Sequence, residues 1–236
     1  MEDNNYIEFK DWSNGERFGD LSHSDYLYFN KEFRKLKLKG TRILEIGFGN
    51  GSFLTFCENK NLNVTGTEQN ELLNNAAIEK GFSIIKNDQL DEFFDSKSNF
   101  DAIFLFDVIE HIEFNDLILF FSRLRSILSE EGIIFCRFPN GDSSLSMAYY
   151  NGDHTHQSYL GYSKLKYLAK IINMDFTTRS QSKILINFKR PVYSLFNIIT
   201  EPIRYIIKKI YKLLYHPTDN VVVLEKNLIC ILTKKS

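Results

Sequence analysis

Short apolar runs alternate with amphipathic segments along most of the chain, and this alternation predicts its fold. The first run, Arg42–Ile46, ends in glycines and is followed by a helical pattern over residues 51–60. The pattern then predicts a second strand over Asn63–Thr67, a helix over residues 70–80 and a third strand over residues 83–86. Because parallel strands need a crossover that is usually helical, this order predicts an open parallel α/β sheet.

The same alternation continues through the middle of the chain. Residues 101–106 form an uninterrupted apolar run, which is typical of a strand buried on both faces. A helical pattern over residues 117–128 and a strand pattern over residues 132–138 follow. Residues 140–162 are polar and aromatic and predict a long loop, followed by a helix over residues 163–173. A loop this long inside a compact domain is usually functional.

The two ends of the chain differ from this middle part. Residues 1–21 are polar with scattered aromatic residues, and Ser22 is a residue type that caps the start of a helix. Residues 191–215 are strongly apolar and helical, and we expect this helix to break or kink at Pro202. Residues 227–233 predict a final strand.

Composition and charge narrow the class of protein. The chain has 236 residues, of which 43% are hydrophobic and 25% charged, so wholesale disorder is excluded. The net charge of −1 gives no electrostatic reason to expect a nucleic-acid partner. The charge is distributed unevenly along the chain. Residues 189–216 hold six basic residues and one acid, so the remaining residues carry a net charge of −6. Cys57, Cys136 and Cys230 lie in apolar runs, and we expect them to be reduced core residues of a cytoplasmic protein.

The segment richest in chemistry follows the first strand. Glu45 lies two residues before three alternating glycines, Gly47, Gly49 and Gly51. Glycines let the chain turn tightly and let a ligand touch the backbone, and the next helix offers free N–H groups at its N-terminus. The second strand is followed directly by Glu68, whose carboxylate can accept hydrogen bonds from both hydroxyls of a ribose.

This E-x-G-x-G-x-G pattern resembles the first motif of class I S-adenosylmethionine-dependent methyltransferases. The resemblance implies that the glycines pack against the cofactor, that Glu45 contacts its amino group and that Glu68 binds its ribose. It also implies that Asp88 accepts from the adenine amine and that Asp107 lines the same cleft. One alternative is an NAD site, whose ribose Glu68 would suit equally well but whose glycines are spaced G-x-G-x-x-G. Another alternative is a tight turn that holds no ligand.

The segment after the fourth strand separates these alternatives. Asp107-Val108-Ile109-Glu110-His111 resembles the "V-x-E-H" motif of methyltransferases, and nicotinamide enzymes have no counterpart. It is also similar to the E-x-x-E-H motifs that hold a divalent metal in ubiquinone-pathway and small-RNA methyltransferases. Because Asp107 is shorter than the glutamate at that position, we expect no metal here. Metal binding by Asp107, Glu110 and His111 is the alternative.

A second histidine lies in the long loop. Asp153-His154-Thr155-His156 resembles the D-P-[ST]-H loop of the same family, with His154 in place of the proline. A histidine, whose unperturbed pKa is ~6.5, can take the proton of a hydroxyl nucleophile. We therefore expect His111 and His156 to be catalytic, and the alternative for His156 is a hydrogen bond that fixes the loop.

The apolar tail has its own chemistry. Between residues 202 and 215 the apolar positions recur at i, i+3, i+4 and i+7, with Arg204, Lys208, Lys209 and Lys212 on the other side. Such basic amphipathic helices lie on anionic membrane surfaces, and the charges exclude a transmembrane span. One interpretation is peripheral contact of residues 202–215 with the inner face of a membrane. The alternative is a helix packed on the sheet, over the active site or across a homodimer interface.

These patterns together predict an α/β fold with a doubly wound, Rossmann-like, seven-stranded sheet. The last strand should be antiparallel between the fifth and sixth, with a helical insertion before it. We expect a single methyltransferase domain, with an N-terminal cap segment over residues 1–40 and a cofactor-binding core over 41–187. The helical insertion then covers residues 188–220, and the last strand lies within 221–236.

The expected activity is transfer of a methyl group from S-adenosylmethionine to a hydroxyl of a sugar or a lipid-linked glycan. The glycan follows from a loose likeness in layout to small bacterial methyltransferases of surface-polysaccharide pathways. One alternative acceptor is a small metabolite such as a quinone or an amino sugar. The other alternative is a non-catalytic module that binds S-adenosylmethionine.

Overall fold

A computed structural model describes residues 17–96, 98–184 and 186–235. Seven strands form one sheet in the order β3-β2-β1-β4-β5-β7-β6. The strands are β1 Arg42–Ile46, β2 Asn63–Thr67, β3 Ser83–Ile84, β4 Phe100–Phe106, β5 Leu128–Pro139, β6 Met174–Ser180 and β7 Asn227–Lys234. The α-helices are α1 His23–Leu36, α2 Ser52–Asn59, α3 Glu71–Glu79, α4 Leu90–Asp95, α5 Phe114–Ser126, α6 Met147–Gly152, α7 Tyr162–Ile171 and α8 Pro191–Tyr215.

The strand directions confirm the predicted sheet. Strands β1 to β5 pair in parallel, and β7 runs antiparallel between β5 and β6. Since β6 is antiparallel to β7, it runs in the direction of β5. The carboxyl ends of β1, β2, β4, β5 and β6 therefore lie at one edge of the sheet, where open α/β sheets bind ligands.

The central strands are covered on both faces. Ile43 and Leu44 of β1 and Ile103 and Phe104 of β4 are fully or almost fully buried. On one face they pack in a cluster with the aromatic side chains of α2, and on the other in a cluster with the apolar side of α5. Each such buried side chain contributes about 1.5–3 kcal/mol of hydrophobic stabilisation. The cleft edge is thus built on a rigid double-sided core.

The cap of the first helix is as predicted, whereas the predicted long loop is partly helical. The Ser22 hydroxyl caps α1 by accepting from the Asp25 N–H (3.1 Å), as predicted. Within the predicted loop over residues 140–162, however, the structure has the short helix α6. Its Tyr150 is buried and its hydroxyl donates to the Pro139 carbonyl at 2.5 Å. The loop prediction is wrong here because a buried aromatic residue, invisible to local polarity, orders this turn.

The apolar tail forms one helix. α8 extends without a break over 25 residues, with Pro191 at its first turn and Pro202 inside it. Pro191 is favourable there because the first helical N–H groups have no intrahelical acceptor, whereas Pro202 removes one interior hydrogen bond. A break at Pro202 is wrong, because the helix is continuous through this residue, and a kink there stays a prediction. Most of the irregular N-terminal segment, residues 1–16, lies outside the described residues.

All three cysteines are free and buried, as predicted. Cys57 lies in α2, and Cys136 and Cys230 are directly opposite each other in the β5–β7 pair. Burial raises the pKa of the Cys230 thiol to about 12, and it raises those of Cys57 and Cys136 as well. All three are therefore protonated core side chains at neutral pH.

One buried carboxylate fastens α1 to the segment after β6. Glu32 is 2% exposed and accepts from the Arg179 guanidinium and from the Ser182 N–H (2.6 Å). Burial alone raises the pKa of Glu32, but these hydrogen bonds and the charge of Arg179 outweigh it and leave the pKa lowered. Removing one partner of such a pair leaves the other charge buried and uncompensated.

We expect Glu32→Ala to lower the free energy of unfolding by about 3–5 kcal/mol, measured by urea denaturation. Because the pKa of Glu32 is lowered on folding, its contribution is present above the unfolded-state pKa of about 4.3 and lost as pH falls through the folded-state pKa. The difference between wild type and variant should thus shrink in acid. Glu131→Ala is the matched control, since its ion pair with Lys39 is exposed and worth at most about 1 kcal/mol. Equal effects of the two substitutions would contradict this assignment.

Candidate functional site

The turn after β1 has three glycines with positive φ, and at two of them a side chain would also collide with a neighbour. Gly47 and Gly51 have φ of 68° and 74°, in the left-handed region that favours glycine. A Cβ on Gly47 would lie 2.7 Å from the Val108 side chain, and one on Gly51 would lie 2.4 Å from the Phe18 ring. The turn is therefore packed directly against the segment that follows β4. Any ligand held by this turn lies close to that segment.

Glu68 fastens the glycine turn from the end of β2. One of its carboxylate oxygens accepts from the Gly49 N–H at 3.0 Å. The other accepts from the Gln69 N–H at 2.8 Å and the Asn70 N–H at 3.2 Å. The carboxylate thus lies at the carboxyl edge of the sheet, and its remaining lone pairs can accept further hydrogen bonds.

Glu45 is a buried acid with an oxygen that lacks a partner. The residue is 3% exposed, and no described group donates to its Oε2. Burial, and then the charge of Glu68, raise the pKa of Glu45 well above its usual range, and the opposing effect of Arg137 is smaller. An unsatisfied buried oxygen costs free energy unless a ligand supplies the missing donor. A cationic amino group has the chemistry that fits this position.

Asp107 pairs with a residue that sequence analysis did not identify. Its N–H donates to the Arg137 carbonyl (2.8 Å), and the Arg137 guanidinium donates to both of its carboxylate oxygens. The guanidinium also lies over the rings of Phe106 and Tyr28, at 5.1 Å and 5.5 Å from their centroids. The signal in the sequence was one arginine inside the apolar run of β5, because a buried arginine needs an acidic partner.

Asp88 lies on an exposed turn beside the end of β2. The turn is a single 3₁₀ turn, Asn87–Gln89. The Asn87 side-chain amide donates to the Gln69 carbonyl at 3.0 Å, which ties this turn to the residue after Glu68. Asp88 therefore lies at the same edge of the sheet as Glu45, Glu68 and Asp107.

The two predicted histidines lie side by side. The backbone carbonyl of Glu110 accepts from the N–H groups of Gln157 and Ser158 at 2.8 and 3.0 Å, which joins the segment after β4 to the loop after α6. This junction puts the ring centroids of His111 and His156 at 4.7 Å from each other. The sequence placed these residues 45 positions apart and gave no measure of this distance.

Two carboxylates flank His156. Its Nε2 lies 4.0 Å from Glu110 Oε1 and 3.9 Å from Asp153 Oδ2. His111 Nδ1 lies 2.8 Å from the Thr155 hydroxyl, which is close enough for a hydrogen bond. An imidazole placed beside carboxylates has the chemistry of a general base.

The same cluster contains a possible set of metal ligands that differs from the predicted one. Donor atoms of Glu110, His111 and His156 all lie within 4.8 Å of one another. The predicted alternative of Asp107, Glu110 and His111 as a ligand set is not assembled, because Asp107 is paired with Arg137 instead. A histidine from the loop takes its place in the group of three.

A model of one protein family matches the part of the chain that holds this site. The model of a family described as a methyltransferase domain matches residues 23–176. That range contains the glycine turn, the acids at the carboxyl edge and the histidine cluster. No curated protein matches the chain significantly in sequence.

Several solved structures with the same fold are methyltransferases. A methyltransferase dependent on S-adenosylmethionine from Archaeoglobus fulgidus is 18% identical, with a TM-score of 0.64, over 97% of this chain and 99% of that one. Phosphoethanolamine N-methyltransferase 2 from Haemonchus contortus, solved with S-adenosylhomocysteine, is 20% identical, with a TM-score of 0.60, over 100% and 59%. The plantazolicin methyltransferase BpumL, also with S-adenosylhomocysteine, is 18% identical, with a TM-score of 0.58, over 99% and 88%. At these identities the likeness is one of fold.

The family model covers more than half of the chain, and the glycine turn and the acids predicted from its motifs meet at one edge of the sheet. The chain belongs to the methyltransferase-domain family and is an S-adenosylmethionine-dependent methyltransferase.

Proposed function

We propose that this methyltransferase modifies a hydroxyl group, carried by a sugar or by a lipid-linked glycan, in the cytoplasm. The observation that carries the proposal is the cluster of His111 and His156 with Glu110 and Asp153. A hydroxyl must lose its proton as its oxygen is methylated, and an imidazole beside carboxylates can take it. The cluster lies next to β4 at the carboxyl edge of the sheet, where the cofactor residues also lie.

The cofactor assignment follows the acids and glycines of the same edge. The residues proposed to hold S-adenosylmethionine are Glu45, Gly47, Gly49, Gly51, Glu68, Asp88 and Asp107. The orphaned oxygen of Glu45 suits the amino group of the cofactor, and the Glu68 carboxylate suits its ribose hydroxyls. When bound, the cofactor supplies a methyl group already activated on a sulfonium.

The reaction then needs alignment and one proton acceptor. The acceptor oxygen forms a bond to the methyl carbon as the carbon–sulfur bond breaks, which yields a methyl ether. The hydroxyl proton passes to the imidazole pair, and Glu110 and Asp153 stabilise the imidazolium that forms. Holding the acceptor in line supplies most of the acceleration, and the base contributes the remainder.

The choice of a glycan rests on the loose likeness in layout to small bacterial methyltransferases of surface-glycan pathways, and the alternative acceptor is a small metabolite, a quinone or an amino sugar. The insertion over residues 188–220 follows a strand that ends at the cleft edge. We also propose that the whole chain acts as one methyltransferase domain. The alternative of a non-catalytic module differs in a simple way, since it binds S-adenosylmethionine but transfers no methyl group.

We expect Glu68→Ala to weaken the binding of S-adenosylhomocysteine at least about 100-fold, because two hydrogen bonds to a carboxylate are each worth about 1.5–3 kcal/mol. Titration calorimetry measures this. Glu71→Ala is the matched control, an exposed carboxylate in the first turn of α3. Glu68→Gln retains an oxygen for the Gly49 N–H and separates ribose binding from support of the turn. Unchanged affinity in a folded Glu68→Ala variant would rule out the ribose assignment.

We expect His156→Asn and His111→Asn each to lower kcat about 100-fold, without a change in cofactor affinity. The double variant should lose little more than either single one, because the two imidazoles act as one unit. The assay follows tritiated methyl transfer from S-adenosylmethionine to glycan fragments, with quinone and amino-sugar acceptors in parallel. Transfer only to an amine or a quinone, or full activity of both variants on a hydroxyl, would contradict the proposal.

We further propose that the cluster works without a bound metal, so a chelator should leave the rate unchanged and added Mg²⁺ or Mn²⁺ should not raise it. His111 is within hydrogen-bond distance of Thr155, and Asp107 is engaged by Arg137. A chelator-dependent loss of activity, restored by one divalent cation and absent in Glu110→Gln, would show instead that Glu110, His111 and His156 bind metal.

A further inference from the structure

The polarity of α8 is reversed with respect to the protein body. Its polar residues recur at helical spacing, at Ser194, Asn197, Glu201, Arg204 and Lys208, and this stripe faces inward. Ser194 and Asn197 are buried, whereas fourteen apolar or aromatic side chains of α8 are 47–82% exposed. An amphipathic helix on a globular protein ordinarily buries its apolar stripe instead.

Ion pairs and hydrogen bonds fix this orientation. The Ser194 hydroxyl accepts from the Asn187 N–H at 2.7 Å and donates to the Asn187 carbonyl at 3.0 Å. Glu201 pairs with Lys183 at 2.8 Å, and Lys208 pairs with Glu225. Rotating the helix to bury its apolar side would break these pairs and expose their partners. The apolar side therefore faces outward as part of the fold.

The exposed side is large and continuous. Val192 at one end of α8 is 82% exposed and Leu213 near the other end is 71% exposed, with Ile206 between them at 56%. A 25-residue helix is about 37 Å long, so the exposed stripe extends over most of one side of a small domain. Contiguous apolar surfaces of this kind mark interaction sites.

The charges along this stripe select its occupant. Lys189, Arg190 and Lys209 are exposed and make no ion pair with any carboxylate in the described ranges. Glu201, the single acid between residues 189 and 216, is engaged with Lys183 on the inner side. A second copy that docked its own α8 against this one would bring these cations against like charges. An anionic lipid surface satisfies both the cations and the apolar stripe.

The helix lies on the cleft side of the sheet. β6 ends at Ser180 and β7 begins at Asn227, both at the edge where β1 and β4 have their carboxyl ends. The segment after α8 also contacts the loop that follows β5, since the Asn140 side chain donates to the Val222 carbonyl at 2.6 Å. A surface in contact with α8 would therefore border the same edge as the histidine cluster.

We propose that α8 docks the protein onto an anionic membrane, with its apolar stripe in the headgroup region and Lys189, Arg190 and Lys209 on lipid phosphates. Among the described residues, no helix has the length and apolar content to cross a bilayer. The contact is therefore peripheral. It rests on the proposed function only in that it would present a lipid-linked acceptor to the cleft.

Flotation with vesicles tests the docking without any acceptor. The full chain should float with vesicles of equal parts phosphatidylglycerol and phosphatidylcholine, and much less with phosphatidylcholine alone. Ile206→Asp with Leu213→Asp should reduce binding about tenfold or more, because two apolar side chains no longer enter the lipid. Arg190→Gln with Lys209→Gln should reduce binding to the anionic vesicles about 30-fold.

Controls separate this proposal from misfolding and from the proposed function. Leu119→Asp changes an exposed leucine of α5 and should float as wild type does. Affinity for S-adenosylhomocysteine should be unchanged in every variant, and its absence in wild type would overturn the function but not the docking. No flotation of wild type, or equal flotation of the Ile206 and Leu213 variant, would overturn the docking. So would a wild-type dimer in light scattering that the same variant dissociates, which would assign the stripe to a second copy.

Discussion

The burial of β1 and β4 on both faces is the constraint from which the site follows. Polar side chains are excluded from the middle of these strands, and parallel pairing aligns the strand ends. Acids therefore collect at one edge, where Glu68 and Asp107 find backbone and guanidinium donors. Glu45 is the exception within a strand, and its raised pKa is the electrostatic cost of placing a carboxyl there.

The insertion is attached to this core by different forces. Apolar packing joins helices to the sheet, whereas Glu32 with Arg179, and Lys183 with Glu201, join α1, β6 and α8 through charges. Because the polar side of α8 makes these contacts with the body, the apolar side chains of α8 face solvent. Apolar side chains are therefore buried in the core of the body but exposed on the insertion.

Local patterns were sufficient for the sheet, the glycine turn and the cap at Ser22, because periodicity and turn chemistry act over a few residues. Local patterns failed where contacts between residues distant in sequence determine the structure. α6 depends on Tyr150 reaching Pro139, and the partner of Asp107 is an arginine on the next strand. The stripe of α8 was visible in the sequence, but its outward direction depends on Lys183 and Glu225, which lie outside the helix. The distance between His111 and His156 likewise requires the tertiary fold.

The buried thiols make the folded chain inert toward alkylating reagents, since such reagents attack the exposed thiolate. Modification therefore reports local opening rather than surface chemistry. Cys57 records release of α2 from beneath the glycine turn, and Cys136 and Cys230 record separation of β7 from β5. The rates at which these three native cysteines are alkylated therefore report local opening in two regions. One region lies beside the cofactor edge and the other beside the insertion.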